Sequence, residues 1–380
     1  MKTFKAFFKS APTFAGIGIA VAFLLIFFIV WLTAYDGVTD RVDKLKVGII
    51  NNDPAFESNL LTDQMPFTTT SFSSFEKGKE EINNRKVQML IVIPENFTAA
   101  IATDEGSIQY YINQAVPSLT KQTMENAANQ INEQINGHVF ELKKEQLSNV
   151  PETMMKSGME SLSLQSVRPE IIKLNETEGF AANMIPLLII LASFVGSMLL
   201  SLNLLTVTQK LTLTFNKWSI LFSRLLIQLI VSIALAILSV SLLVLFGFEI
   251  HVSIIEILLF QTFVYLSFLC MTQMFTVLFG IAGMLLNIIS FSIQLVTAGV
   301  LVPRSLLSET YQFYSNIFPA TYGASGYFSI IYGGMNLAAE MKILIFIVLI
   351  TFAITAMKVL FVREKKEVAL NEVSNAENPV

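Results

Sequence analysis

Apolar residues run without a charge from Phe14 to Ala34, and five more apolar stretches follow in the second half, at about 182–206, 219–248, 252–279, 281–302 and 341–362. A helix needs about 20 apolar residues to cross a hydrocarbon core of ~30 Å, so the pattern predicts six membrane spans. The first stretch exceeds the ~7–15 residues of a signal-peptide core, and Leu32-Thr33-Ala34 makes a poor cleavage site; a retained signal anchor is expected. The 252–302 stretch is broken only at Gly280 to Gly283. A single helix over it would be ~75 Å long, so two spans are expected, with a re-entrant element as the alternative.

Between 36 and 180 the pattern changes. Leu45 to Ile50 reads as a buried strand closed by the turn Asn51-Asn52-Asp53-Pro54. Phe75, Gly78 and Ile82 share one face of a helix over about 73–84, and Val87 to Ile93 is a second strand ended by Pro94. Phe97, Ala100 and Ile101 mark a short helix, and Ile108 to Ile112 a third strand. Strands alternating with helices predict a small sheet with helices on it. From Ser118 to Leu147, Met124, Ala128, Ile131, Ile135 and Leu142 recur at threes and fours, which predicts an amphipathic helix. It packs on its own domain or pairs in a coiled coil.

The expected fold is therefore an α-helical membrane protein with six transmembrane helices and a mixed α/β extracytoplasmic domain between helices 1 and 2. Its parts are an amphipathic segment at 1–13, a first span at 14–35, the outer domain at 36–180, a five-helix block at 181–362 and a tail at 363–380.

Composition sharpens this partition. The chain is 53% hydrophobic and 14% charged, where soluble proteins carry roughly 25% charged residues. Only ten of the 181 residues from Ala182 to Val362 are charged, against 34 of the 145 from Asp36 to Phe180. A soluble enzyme is excluded. The net charge of −4, and the 13 basic against 21 acidic residues of the outer segment, leave no basic face for nucleic acid. The lone Cys270 excludes a disulfide framework or a cysteine metal site, and His138 and His251 lie far apart. No G-x-S-x-G, H-E-x-x-H, calcium loop or G-x-x-x-x-G-K-[S/T] occurs, so neither hydrolytic chemistry nor an ATP cradle is expected in this chain. The sequons at Asn96 and Asn175 carry weight only in a eukaryotic secretory pathway.

Lys and Arg in the short loops set the orientation. With the N-terminus inside, the inner side holds Lys2, Lys5, Lys9, Lys210, Lys217, Arg224, Lys358, Arg363, Lys365 and Lys366, and the outer side only Arg304 and Lys342. Both termini are expected in the cytoplasm. Phe4, Phe7 and Phe8 oppose Lys2, Lys5 and Lys9 on one helix, as in a segment lying in the membrane interface, though a plain positive flank has the same residues. Lys210, Lys217, Trp218 and Arg224 fall in or beside the only substantial inner connection, where a partner would dock or where cations merely orient the chain. Eight aromatic residues lie within Tyr311–Tyr332, among them Tyr311, Tyr314 and Tyr322, around Pro319. They predict an outer interfacial belt or short helices dipping into the outer leaflet. No span carries an acid or lysine suited to an ion relay.

The layout resembles the membrane subunit of a type-two ABC exporter, close to the phage infection protein (Pip)-like branch. The resemblance covers nearly the whole chain. It rests on the strand and turn Lys46-Val47-Gly48-Ile49-Ile50-Asn51-Asn52-Asp53, on Val87 to Ile93 followed by Pro94-Glu95-Asn96-Phe97, and on Pro319-Ala320-Thr321-Tyr322 closing on Gly333-Gly334. It implies an elbow helix at Phe4, Phe7 and Phe8, re-entrant helices around Tyr311 to Tyr322, and a separate ATP-binding cassette subunit docking near Lys210 to Arg224. It also implies a second permease, identical or paralogous, and export of a hydrophobic or amphiphilic compound across a bacterial plasma membrane. Many such exporters carry a Glu-rich, Gly-Thr-containing docking loop. Here Thr208 to Trp218 contains neither Glu nor Gly. The alternative function is a non-transporting surface receptor or secretion accessory that displays the outer domain.

Overall fold

The computed structural model describes residues 11–57, 59–62, 65–148, 163–176, 180–212, 214–334 and 336–361. A helix, α1 (Ala11–Tyr35), leads into an α/β domain built from β1 (Lys46–Asn51), α2 (Asn59–Thr62), β2 (Thr68–Ser71), α3 (Phe75–Asn83), β3 (Met89–Ile93), α4 (Phe97–Ala102), β4 (Gly106–Asn113), α5 (Ser118–Ser148) and β5 (Val167–Leu174). The helical half follows: α6 (Phe180–Leu211), α7 (Lys217–Leu245), α8 (Ile254–Phe279), α9 (Gly283–Thr297), α10 (Glu309–Ile317), α11 (Pro319–Tyr332) and α12 (Ala338–Phe361).

The five strands form one mixed sheet in the order β2-β1-β3-β4-β5, parallel throughout except where β3 meets β4. Strand alternation divides its side chains between two cores. Val47, Ile49, Met89, Ile91, Ile108, Tyr110 and Ile112 pack with Met124, Ala128, Ile131 and Ile135 of α5. Ile50, Leu90 and Val92 pack with Ile82 of α3 on the other face. The amphipathic helix thus covers its own sheet rather than pairing in a coiled coil. Leu142, expected on the same stripe, is exposed. Neither β2 nor β5 was expected from the pattern. Both are edge strands, β2 is Thr-Thr-Thr-Ser, and β5 carries Pro169, which only an edge tolerates well.

Among the described residues four helical segments are long and apolar enough to cross a membrane: Met184–Leu211, Lys217–Leu245, Ile254–Thr297 and Ala338–Phe361. The described apolar part of α1, Val21–Tyr35, is shorter. The third segment, 44 residues long, is not straight. Gly280 takes φ +61°, ψ −133°, which ends α8, and α9 folds back along it. Asn287 donates to the Thr272 carbonyl at 3.3 Å, and a Cβ on Gly283 would lie 2.2 Å from the Phe275 carbonyl oxygen. Phe194 of α6 stacks on Phe291 of α9 (4.9 Å) and meets Phe268 of α8 edge-on (5.5 Å), which fixes the centre of the bundle.

The α/β domain and the bundle share contacts well beyond their two covalent connections. Leu306 and Leu307, from the segment after α9, are fully buried in the same core as β1, β3 and α5. Arg41 donates to the Leu306 carbonyl (2.5 Å), and the Leu119 amide to that of Leu301 (3.4 Å).

Candidate functional site

The densest polar contacts between the two halves converge on Arg85, which follows α3 with a left-handed backbone (φ +57°). Its guanidinium donates to the Ser325 carbonyl and the Ser329 hydroxyl of α11, both at 3.0 Å, and lies 5.5 Å from the Phe328 ring centre. Glu340, buried in the first turn of α12, accepts from Ser325 Oγ at 2.9 Å and acts on Arg85 through its charge. Burial pushes the Arg85 guanidinium down to about 10, with Glu340 opposing the shift. A cavity of about 290 Å³ opens beside it, walled by Arg85, Thr120, Arg304, Thr321, Ser325 and Phe328.

Lys121 of α5 completes this junction. Its ammonium sits 4.7 Å from the Tyr332 ring centre and 3.4 Å from the Tyr332 hydroxyl. Burial pushes its amine down to about 8, partly offset by Glu125. The folded pKa lies below the ordinary value of 10.5, so the burial penalty is fully present below about pH 8. Between that pH and about 10.5 the native amine loses its proton first, and stability rises with pH. The melting temperature in detergent is expected to climb between pH 7.5 and 9.5 in the wild type, and this component of the slope should vanish in Lys121→Met.

The aromatic segment wraps the same junction. Tyr311 bonds Thr33 (2.6 Å) and the Val30 carbonyl (3.2 Å) of α1. Tyr314 stacks on Phe318 at 6.3 Å, and the Tyr322 hydroxyl donates to the Asn316 carbonyl at 2.7 Å. Pro319 is the buried first residue of α11, where its missing N–H leaves no bond unmade. Arg304 donates to Ser315 at 2.9 Å and to the Asn316 side chain, tying α10 to the turn that precedes it. Helix α11 itself is buried almost throughout, with Ala320, Ala324, Tyr327 and Ile330 inside the bundle core.

At the opposite end of the bundle, α6 turns into α7. The loop expected over Lys210–Arg224 is shorter, because α6 runs on to Leu211 and Asn216 caps α7 by accepting from the Trp218 amide at 2.8 Å. Lys210 is exposed and Trp218 half-buried, and Lys217 donates to the Leu360 carbonyl at the end of α12 (3.1 Å). Arg224 is not on a loop. It lies two turns inside α7 and is 5% exposed. Phe4, Phe7 and Phe8 lie outside the described residues.

Residues 15–357 match the family described as ABC-2 family transporter protein. The chain belongs to that family. No curated protein and no solved structure matches it. Membership makes the chain the membrane subunit of an ABC transporter, a transport subunit, and implies an ATP-binding cassette on a partner.

Within this ABC-2 bundle several buried polar side chains bond between helices. Gln228 of α7 donates to Gln273 of α8 (2.7 Å), Ser201 of α6 meets Thr272 (2.8 Å), and Tyr327 donates to Gln261 (2.5 Å). Gln294 accepts from the Ala320 amide at 3.3 Å. Asn203 is exposed and bonds only within α6. Such bonds are worth roughly 0.6–2 kcal/mol each where no water competes. Among the described residues no group of acids, histidines or cysteines could hold a metal. Sequence reasoning missed Arg85 and Glu340, which sit in unremarkable local patterns. The signal that could have found Glu340 is an acid at the start of an otherwise apolar stretch.

Proposed function

We propose that this chain is the permease half of an ATP-driven exporter, close to the Pip-like branch, moving a hydrophobic or amphiphilic compound out of a bacterial cell. The observation that carries the reading is the family match over residues 15–357, across both the bundle and the domain bonded to it. The alternating course of α1, α6, α7, α8, α9 and α12 supports six spans with both termini in the cytoplasm and the α/β domain outside. So does the excess of Lys and Arg at the α6–α7 end.

ATP binding on the partner would be felt at Lys210, Lys217 and Trp218. Lys217 already bonds the end of α12. Helix α12 carries Glu340 in its first turn, beneath the Arg85 junction, so a shift at one end would reach the outer domain through a continuous helix. The aromatic segment Tyr311–Tyr322 and buried α11 would serve as the re-entrant element, and the N-terminal residues as the elbow. Ala192 and Gly196 leave an exposed small-residue face on α6 that suits a second permease.

The test is co-purification of the tagged chain from its native cell. An ATP-binding cassette subunit should come down with it, and ATPase turnover should fall severalfold when Lys210 and Lys217 are both replaced by alanine. Absence of any nucleotide-binding subunit sinks the exporter reading.

A further inference from the structure

Arg224 is a buried cation with no acid paired to it among the described residues. Its Nη1 donates to Thr208 Oγ1 of α6 at 3.2 Å, while Nε and Nη2 are buried without a hydrogen bond. Guanidinium keeps its proton at neutral pH, so the charge stays and its burial is unfavourable until something negative arrives. Among the described residues no acid lies on this side of the bundle. From Gly179 to Phe248 the chain contains no Asp or Glu, and the bundle's acids, Glu249, Glu256, Glu309 and Glu340, belong to the end that faces the α/β domain.

A cavity of about 170 Å³ lies beside this charge, between α6 and α7. Thr208, Ser219, Ser223 and Arg224 form its polar wall, and Val207, Leu211, Phe215 and Ile227 are its exposed apolar rim. The Thr208 hydroxyl accepts from Arg224, which leaves its own proton for another acceptor. Water occupies about 30 Å³ per molecule, so the cavity has room for a small anionic group but not for a chain attached to it. The chain would lie along the apolar rim. Arg224 stands about 10 Å along α7 from Lys217, inside the apolar part of the helix.

We infer that this cleft holds the anionic head group, phosphate or carboxylate, of an aliphatic amphiphile, with Arg224 as its counter-charge and Thr208 as a second donor. The exporter reading bears only on which leaflet supplies the ligand, and the binding itself needs no ATPase subunit.

The experiment uses the full chain in a neutral detergent with equimolar phosphatidylglycerol and phosphatidylcholine, followed by native mass spectrometry and thermal melting. Separate arms replace phosphatidylglycerol with oleate or with inorganic phosphate. The wild type should retain phosphatidylglycerol about tenfold or more over phosphatidylcholine, and Arg224→Leu should lose that preference. Without lipid, Arg224→Leu should melt no lower than the wild type, because it removes an unpaired buried charge. Displacement of phosphatidylglycerol by oleate would assign the site to carboxylate amphiphiles as well, and its retention would assign it to phospholipid; both support the inference.

Equal retention of the two lipids, or an unchanged preference in Arg224→Leu, overturns it. So does protection by inorganic phosphate as strong as by lipid, which would make the chain irrelevant. Lipid binding seen only after removal of residues 362–380 would give the site to the carboxylates of the tail. An Arg224→Leu chain that keeps its lipid preference but loses the ATPase subunit would make Arg224 a coupling contact instead. Loss of the ATPase complex with lipid binding intact strikes the exporter reading alone.

Discussion

Replacing Arg85 with alanine is expected to loosen the α/β domain from the bundle and to destabilise the chain by about 3 kcal/mol. The side chain donates to Ser325 and Ser329 and faces Phe328, and its removal strips buried Glu340 of its compensating charge. Glu340 already has one oxygen, Oε2, without a hydrogen bond. The prediction is checked by melting in detergent and by a double-mutant cycle. Arg85→Met and Glu340→Gln should each lower the melting temperature, and the double variant should lose less than the sum of the two. Additive losses would mean that the two charges do not communicate. On the proposed exporter reading, Arg85→Ala should also reduce efflux, since the α/β domain would no longer follow α11 and α12.

The second large effect belongs to Gly283. A Cβ there would lie 2.2 Å from the Phe275 carbonyl oxygen and 2.5 Å from its carbon, both backbone atoms that cannot rotate away. Gly283→Ala must therefore separate α8 from α9, with a cost of about 3 kcal/mol or more and loss of the Asn287–Thr272 bond. Reduced yield of monodisperse protein and a lowered melting temperature would report it. Gly196→Ala is the control. It is also helical, but its Cβ would meet no atom within 4 Å, and helix propensity favours alanine. If both variants melt alike, the close approach at Gly283 is not what holds the hairpin.

These two glycines show where sequence pattern stops being informative. Both lie in apolar runs as small residues that permit close packing, yet one is wedged against backbone and the other faces open space. Arg224 gives the same lesson for charge. Its place in the chain, seven residues after Lys217, reads as the edge of a polar connection. Asn216 starts α7 early enough to carry it two turns into the bundle, against Thr208. The strands β1, β3 and β4 were legible because central strands must be apolar on alternating or both faces. The edge strands β2 and β5 were not, because pairing on one side is satisfied by backbone bonds whatever the side chains.

The amino-acid order alone therefore determined that the chain belongs in a membrane, that a mixed α/β segment interrupts its apolar stretches, and that it contains no G-x-x-x-x-G-K-[S/T] motif. Each follows from periodicity, run length or missing residue types, which are local properties of the chain. The tertiary structure alone decided that Leu306 and Leu307 enter the domain core, that Arg85 reaches α11 across 240 residues, and that Arg224 is buried beside a cavity without an acid. The physical reason is that the energy of a charge or a glycine depends on which atoms surround it. Those atoms come from segments far away in sequence.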